Sequence, residues 1–143
     1  MSAFTKEEIE YMRSQKLARL ATVGPDGQPH VIPVTFWFNE HEDTIDIGGI
    51  AFGAGKKWRD AKKNPKVTFL LGDTFGSGKD RQARALEVRG AAELHETGGN
   101  EINPTFPNFA PQFFRIRPTR IVSWGLEEAA TGRGFQRNAR TLS

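Results

Sequence analysis

The chain has 143 residues, of which 37% are hydrophobic and 26% charged, so we expect one globular domain and exclude a disordered or collagen-like chain. The absence of cysteine excludes disulfides, thiolate nucleophiles and cysteine-based metal sites. No apolar run reaches the roughly 18 to 20 residues of a membrane span, and the polar N-terminus does not resemble a signal peptide. We therefore expect a cytoplasmic protein that does not bind membranes.

The net charge of +3 is concentrated in one short segment. Residues 56–66 contain six lysines and arginines and one aspartate, which gives this segment +5 and leaves −2 for the rest of the chain. A nucleic-acid-binding protein would spread its cations over a larger face. We therefore expect this segment to bind a single anionic group, and we expect no nucleic-acid partner.

The first elements in chain order are a short helix and three strands. Thr5 and Glu8 have capping-box spacing, which predicts a helix over residues 5–14. Apolar patterning then predicts strands at residues 16–23, 30–38 and 44–50, the first two joined by a Gly-Pro-Asp-Gly turn. Both faces of the second strand are apolar, so we expect both to be buried.

A helix and three more strands complete the prediction. The helix follows Gly55 and ends at Pro65, and the strands are predicted at residues 66–71, 83–94 and 113–124. Six hairpin-linked strands predict a small antiparallel barrel in a mainly β protein, because closure removes exposed edges. The intervening loops, residues 72–82 and 97–112, are long enough to be functional.

Most catalytic and metal-binding motifs are missing. The three histidines, His30, His41 and His95, lie in no recognisable catalytic or metal-binding context, and we expect His41 and His95 to be solvated. A nucleotide-binding P-loop is excluded because Lys56 is followed by Lys57 instead of serine or threonine. We therefore expect no metal, and the sequence identifies no catalytic residue.

Two features favour a ligand site, although each has an ordinary structural explanation. Glycines at the end of the third strand and before the second helix, followed by Lys56 and Lys57, fit phosphate recognition, or else a tight turn with a solvated helix face. Pro33 lies mid-strand and cannot donate a hydrogen bond to a neighbouring strand. It marks either an exposed backbone edge that a flat polar ligand can use or a plain edge strand.

Several segments together resemble a known family: ARLATV, PDGQPHVIPVTFWF, GKKWRDAKKNPKVTF and VRGAAEL. They resemble the pyridoxamine-5'-phosphate-oxidase-like split-barrel family over residues 1 to about 95. The sequence is most similar to the actinobacterial reductases that depend on the deazaflavin coenzyme F420, one subgroup of which ends like RIRPTRIVSWG here. The resemblance implies a six-stranded antiparallel split β-barrel and a homodimer with flavin or deazaflavin sites at its interface.

The resemblance also implies site residues. The strand at residues 30–34 would lie against the cofactor ring, with backbone groups of Val31, Ile32 and Val34 at its pyrimidine edge. The implied cofactor-binding residues are His30, Val31, Ile32, Pro33, Val34, Gly48, Gly49, Gly55, Lys56, Lys57 and Trp124. The glycine pair would lie under the ribityl chain, and the lysines at the phosphate. Lys57 is the stronger candidate because it lies eight residues before Pro65, as in the family motif. Trp124 would approach the ring from the partner subunit, or else pack in the core.

The implied activity is hydride transfer from reduced F420 to a conjugated C=C, an enone or a quinone. Gly55 stands where oxidase members often have serine, which weakens the case for FMN. The alternatives are an FMN-dependent oxidase or reductase and a non-catalytic protein that binds F420, FMN or haem. His30, Tyr11 and bulk water are candidate proton donors. The aromatic segment at residues 102–114 would either wall a flat substrate or pack on itself.

Overall fold

The computed structural model describes residues 1–126 and 137–142. The helices are α1 (Lys6–Ser14) and α2 (Lys56–Lys63), and the strands are β1 (Ala18–Val23), β2 (Pro29–Val34), β3 (Trp37–Asn39), β4 (Thr44–Ile47), β5 (Lys66–Phe75), β6 (Gln82–His95), β7 (Phe113–Trp124) and β8 (Arg137–Thr141). No helix in this part of the chain is long and apolar enough to cross a membrane.

The strands form one antiparallel sheet in the order β2-β1-β5-β6-β7-β4-β3, and β8 pairs with the second half of β7. The two ends of this order, β2 and β3, are joined by only Thr35 and Phe36. The sheet therefore curls until its ends meet at this connection without pairing, which is a split barrel. The predicted fold class is confirmed.

The predicted strand count of six is wrong, since the described residues form eight strands. The expected strand at residues 30–38 divides because β2 pairs with β1 whereas β3 pairs with β4. Phe36 turns into the core between them and packs edge-on against Phe69, with ring centroids 5.0 Å apart. The second addition is β8, whose sequence is polar and alternates between exposed and half-buried residues.

Two further expectations are corrected. The face of residues 30–38 that carries Val31 and Trp37 is not buried: these side chains are 59% and 41% exposed. The predicted loop at residues 72–82 is shorter than expected, because β5 continues to Phe75 and β6 begins at Gln82. The longer loop after β6 remains a loop, with one 3₁₀ turn at Gly99–Glu101.

Helix α1 is fixed to the sheet through a buried carboxylate. Thr5 and Glu8 form the predicted capping box, and Glu8 is fully buried. Ser123 of β7 donates to Glu8 at 2.6 Å, and Arg140 of β8 donates to both Glu8 oxygens. Arg140 also donates to the carbonyl of Ala3. A single carboxylate therefore connects the first helix to the last two strands.

Candidate functional site

A cavity of about 1520 Å³ opens where the two ends of the sheet meet. Its walls come from the end of α1, the connection between β2 and β3, and the loop after β6. Aromatic side chains supply much of the apolar wall, and the cations Arg13, Lys16 and Arg115 also line it. The aromatic residues are Phe36, Trp37, Phe38, Phe106 and Phe113. Such a mixture of aromatic walls and a few charged groups is typical of a site for a flat organic ligand.

Among the residues that the structure describes, none of those predicted to bind cofactor lines this cavity. The predicted ring-binding strand nevertheless leads into it, because Thr35 in the cavity wall directly follows Val34. The other end of the strand lies beside α2. The Lys56 Nζ would be 3.5 Å from a Cβ added to Gly24, which lies in the turn before β2. Strand β2 therefore connects the helix N-terminus to the cavity.

The free edge of β2 offers few hydrogen-bonding groups. Along a strand, backbone groups point alternately to its two sides, and an edge proline is tolerated where its missing N–H faces away from the neighbouring strand. The backbone groups of Pro29 and Pro33 therefore point away from β1, toward the free edge. Those of Val31, midway between them, point the same way. That edge carries one N–H, from Val31, and three carbonyls. The same alternation directs the backbone groups of Ile32 and Val34 toward β1, so that of these three residues Val31 is the one whose backbone faces the free edge.

Lys57 is the best-placed cation for an anionic ligand. Its side chain is half-buried, its Nζ lies 4.7 Å from the centre of the Phe52 ring, and no carboxylate of the described residues pairs with it. Burial lowers the pKa of Lys57, because an unpaired ammonium group loses water there. Gly55 caps α2 without a side-chain hydrogen bond, so the first-turn amides are also open to an anion. The residues here fit a phosphate group.

Lys56 differs from its neighbour because it already has a partner. Its Nζ donates to Asp60 at 2.7 Å, and the Asp60 side chain is only 6% exposed. The predicted pair of phosphate-binding lysines is therefore unequal, and the structure favours Lys57.

The glycine pair after β4 lies beneath the chain's own loop. A Cβ on Gly48 would be 3.0 Å from Ile102 Cδ1 and 3.1 Å from Phe109 Cδ2, so a larger residue would displace the loop. The Gly49 carbonyl accepts from the Ala110 N–H at 2.9 Å. Loop packing thus explains Gly48 without a ligand, whereas a Cβ on Gly49 would lie in ordinary contact with Phe52, at 3.6 Å. In the same loop Phe106 stacks on Phe109, with centroids 5.1 Å apart, yet Phe106 still lines the cavity.

Trp124 stands apart from the other predicted residues. It is half-buried at the end of β7, where it pairs in register with Ala85 and Arg137. The β7 residues that line the cavity, Phe113 and Arg115, lie at the opposite end of this strand. The structure therefore does not bring Trp124 to the cavity of its own chain.

His95 is a site residue that the sequence did not identify. His95 was expected to be solvated; its side chain is 32% exposed, but it also stacks on Phe113 and lines the cavity. His41 is exposed, as expected, at the cavity rim. The sequence did not indicate this residue because its neighbours lie on two strands. Glu93 of β6 pairs with Arg115 of β7, and His95 pairs with Phe113, and only the strand register shows these pairs.

Asp46 is another polar residue beside the cavity. It is 1% exposed and accepts hydrogen bonds from Asn39, Thr44 and Arg115. No group of three or more histidine, aspartate or glutamate side chains suited to a metal ion occurs within residues 1–126 and 137–142.

A family model described as pyridoxamine 5'-phosphate oxidase matches residues 4–125. The chain belongs to the pyridoxamine 5'-phosphate oxidase family. The match covers the split barrel from the start of α1 to the end of β7, and thus every residue predicted to bind cofactor.

A curated relative and two solved structures extend this assignment. A 5a,11a-dehydrotetracycline/5a,11a-dehydrooxytetracycline reductase of Streptomyces rimosus is 41% identical over 130 residues, covering 90% of this chain and 89% of that protein. The conserved hypothetical protein Rv2991 of Mycobacterium tuberculosis has a TM-score of 0.69 at 21% identity, covering 92% and 91% of the two chains. A FAD binding protein of Mycobacterium smegmatis has a TM-score of 0.59 at 23% identity, covering 86% and 93%. The relative supports an oxidoreductase within the pyridoxamine 5'-phosphate oxidase family, and the structures share its fold.

Proposed function

We propose that the protein is a reductase that uses coenzyme F420 to transfer a hydride to a conjugated C=C of a polycyclic enone. The observation that carries the proposal is Lys57, a half-buried ammonium without a carboxylate partner in the described structure, at one end of a strand that leads to an aromatic-lined cavity. The Streptomyces relative supports both the reaction class and the polycyclic substrate.

The chain's own groups would hold the cofactor by its phosphate and its ring. Lys57 Nζ and the first-turn amides of α2 would bind the phosphate. The Val31 N–H and the carbonyls beside it would contact the polar edge of the ring. The cofactor, when bound, supplies a hydride, and the protein supplies orientation and excludes water.

The cavity has room for more than a cofactor ring. Small-molecule sites usually measure ~300 to 1,000 Å³, whereas this cavity measures about 1520 Å³. Trp37 is 41% exposed in its wall and offers an apolar surface on which a flat substrate can stack. A polycyclic substrate therefore fits in the cavity while the cofactor ring lies at the β2 edge that leads to it, which favours a reductase over a protein that only stores a cofactor.

The cofactor assignment is tested by titrating F420 and FMN separately into the purified protein. We expect the tighter dissociation constant for F420, and oxidation of reduced F420 when 5a,11a-dehydrotetracycline is added. Tighter binding of FMN, with turnover supported by FMN alone, would establish the flavin alternative. Binding of F420 without turnover of any enone or quinone would indicate a non-catalytic carrier.

We also propose that the protein is a homodimer that covers the outer face of β2, β1 and β5. The register places Val31 beside Ala21, and Pro33 and Leu70 on either side of Arg19, on that face. Val31 and Leu70 are 59% and 39% exposed there. An apolar face of this kind beside a free strand edge fits a second copy of the chain, which would complete the cofactor site.

The dimer is tested by light scattering on the Leu70→Glu variant. We expect two copies for the unchanged protein and one for the variant, because a carboxylate in place of an apolar side chain loses its hydration when this face is covered. Ile50→Glu is the matched control, since Ile50 is 80% exposed outside this face and the variant should stay dimeric. A monomeric unchanged protein would contradict the proposal.

A further inference from the structure

We propose that His95 is the acid that protonates the reduced substrate, with the proton delivered from its Nδ1. This inference rests on the proposed function, because reduction of a conjugated C=C requires a proton as well as a hydride. It adds a catalytic residue that neither the sequence motifs nor the comparisons identify.

Two contacts fix the His95 ring in the cavity wall. The ring stacks on Phe113, with centroids 4.7 Å apart and planes 13° from parallel. Its Nε2 lies 2.8 Å from Glu93 Oε1. A carboxylate accepts hydrogen bonds, so Nε2 carries the N–H that donates to Glu93. In the described part of the chain Nδ1 has no hydrogen bond, which leaves it as the nitrogen that exchanges a proton.

Glu93 orients His95 and does not itself act as the acid. Arg117 Nε donates to Glu93 Oε2 at 2.7 Å. The hydrogen bonds from Arg117 and then His95 lower the pKa of Glu93, so it remains a carboxylate at neutral pH. The pairing resembles the general arrangement in which a carboxylate fixes the tautomer and the direction of an imidazole.

The Glu93 pair belongs to a longer chain of charges around the cavity. Arg117 also donates to Glu42 at 3.2 Å, and Arg115 lies 3.8 Å from Glu42 and 3.2 Å from Asp46. These three carboxylates and two guanidinium groups have one negative charge in excess, which a protonated His95 would balance. Arg115 also lies over the Phe113 ring at 5.3 Å, and Glu101 lines the same cavity. These groups lie on β4, on β7, in the turn between β3 and β4, and in the loop after β6.

In the proposed reaction the substrate takes up a hydride and a proton. The substrate gains a hydride with two electrons at the carbon β to its carbonyl, and the reduced cofactor is oxidised by two electrons. The C=C π electrons move to form an enolate. The enolate α-carbon takes the proton from His95 Nδ1, and His95 becomes a neutral imidazole. Solvent restores the proton, because the His95 side chain is 32% exposed.

Other candidate acids are less well placed. Tyr11 is 3% exposed, and its hydroxyl donates to Asp73 at 2.7 Å within the contact between α1 and β5. Burial and the hydrogen bond to Asp73 raise the pKa of Tyr11, which makes it a weaker acid. His30 lies on β2 outside the described cavity lining. His41 reaches the cavity only from the exposed turn between β3 and β4.

The first test needs no cofactor. In nitrogen-15 NMR spectra of the cofactor-free protein with a neutral His95 ring, we expect the Nε2–H tautomer. Glu93→Gln should shift it to a tautomer mixture, whereas Glu96→Gln, at an exposed neighbouring position, should leave it unchanged. An Nδ1–H tautomer in the unchanged protein would overturn the inference.

The second test measures turnover against pH. We expect His95→Gln to lower kcat by about 100-fold and to remove the decline of kcat with rising pH, while the F420 dissociation constant stays within about twofold of the unchanged protein's. Glu93→Gln should lower kcat less, and Glu96→Gln should not change it. An unchanged kcat and pH profile in His95→Gln would overturn the inference while the proposed function stands. If the unchanged protein shows no turnover although its NMR spectrum contains the expected His95 signal, the proposed function is refuted, and the inference with it.

Discussion

Lys57→Ala is expected to weaken F420 binding by about 10- to 150-fold. A charge-assisted hydrogen bond contributes about 1.5 to 3 kcal/mol, which corresponds to this change in dissociation constant. Lys57 has no carboxylate partner among the described residues, so its removal costs no internal ion pair and the loss falls on the ligand. The measurement is a fluorescence titration of F420 into each variant, with folding checked by circular dichroism.

Two other lysines of α2 serve as matched controls, because each substitution removes the same unit of charge. Lys62 is exposed in the last turn, and Lys62→Ala should change the dissociation constant less than twofold. Lys56→Ala should have an intermediate effect, since Lys56 is held by Asp60. Equal losses in all three variants would indicate general attraction by the basic segment and would contradict a phosphate site at Lys57.

Glu8→Gln is expected to lower the free energy of unfolding by about 3 to 5 kcal/mol, the usual cost of removing one partner from a buried ion pair. The carboxylate is fully buried, and glutamine would keep one acceptor oxygen for Arg140 and Ser123 while placing an NH2 donor where the second oxygen accepts their hydrogen bonds. The measurement is urea unfolding at neutral pH. Glu10→Gln is the control: Glu10 is exposed on the same helix, 4.0 Å from Lys6, and its loss should cost under about 1 kcal/mol.

The same residue predicts how stability depends on pH. Burial alone would raise the pKa of Glu8, but hydrogen bonds from Arg140, Ser123 and the Thr5 region hold it below its ordinary value of 4.5. Because the folded state has the lower pKa, this contribution is complete above about pH 4.5 and declines as the pH falls. Glu8→Gln should flatten this decline. An equally steep acid response in the variant would show that other carboxylates cause it.

The sequence predicted the parts of the molecule that depend on neighbouring residues. Local rules predict the capping box, the turn before β2, and a helix that begins at Lys56 and ends before Pro65. All three are present. The division of the strand at residues 30–38 was not predictable in this way. It depends on Phe36 entering the core against Phe69, a contact between residues that only the folded sheet brings together.

The candidate site also combines features that depend on neighbouring residues with features that only the folded sheet brings together. The features proposed to bind an anion, at Gly55 and Lys57, lie within one helix turn, so the sequence indicated them, whereas the difference between Lys56 and Lys57 appears only in their surroundings. His95 escaped the sequence analysis because its partners are spread over β6 and β7. Glu93 and Phe113 define its role, and the second of these lies on another strand.

The two prolines of β2 have a consequence for the behaviour of the protein in concentrated solution. An uncovered strand edge normally recruits strands from other molecules, which leads to aggregation. Here Pro29 and Pro33 leave the Val31 N–H as the single donor along the free edge, too few to template a continuous ladder. The same scarcity suits a small ligand, which needs only one or two well-placed groups. The edge can thus stay open for binding while foreign chains gain little by attaching to it.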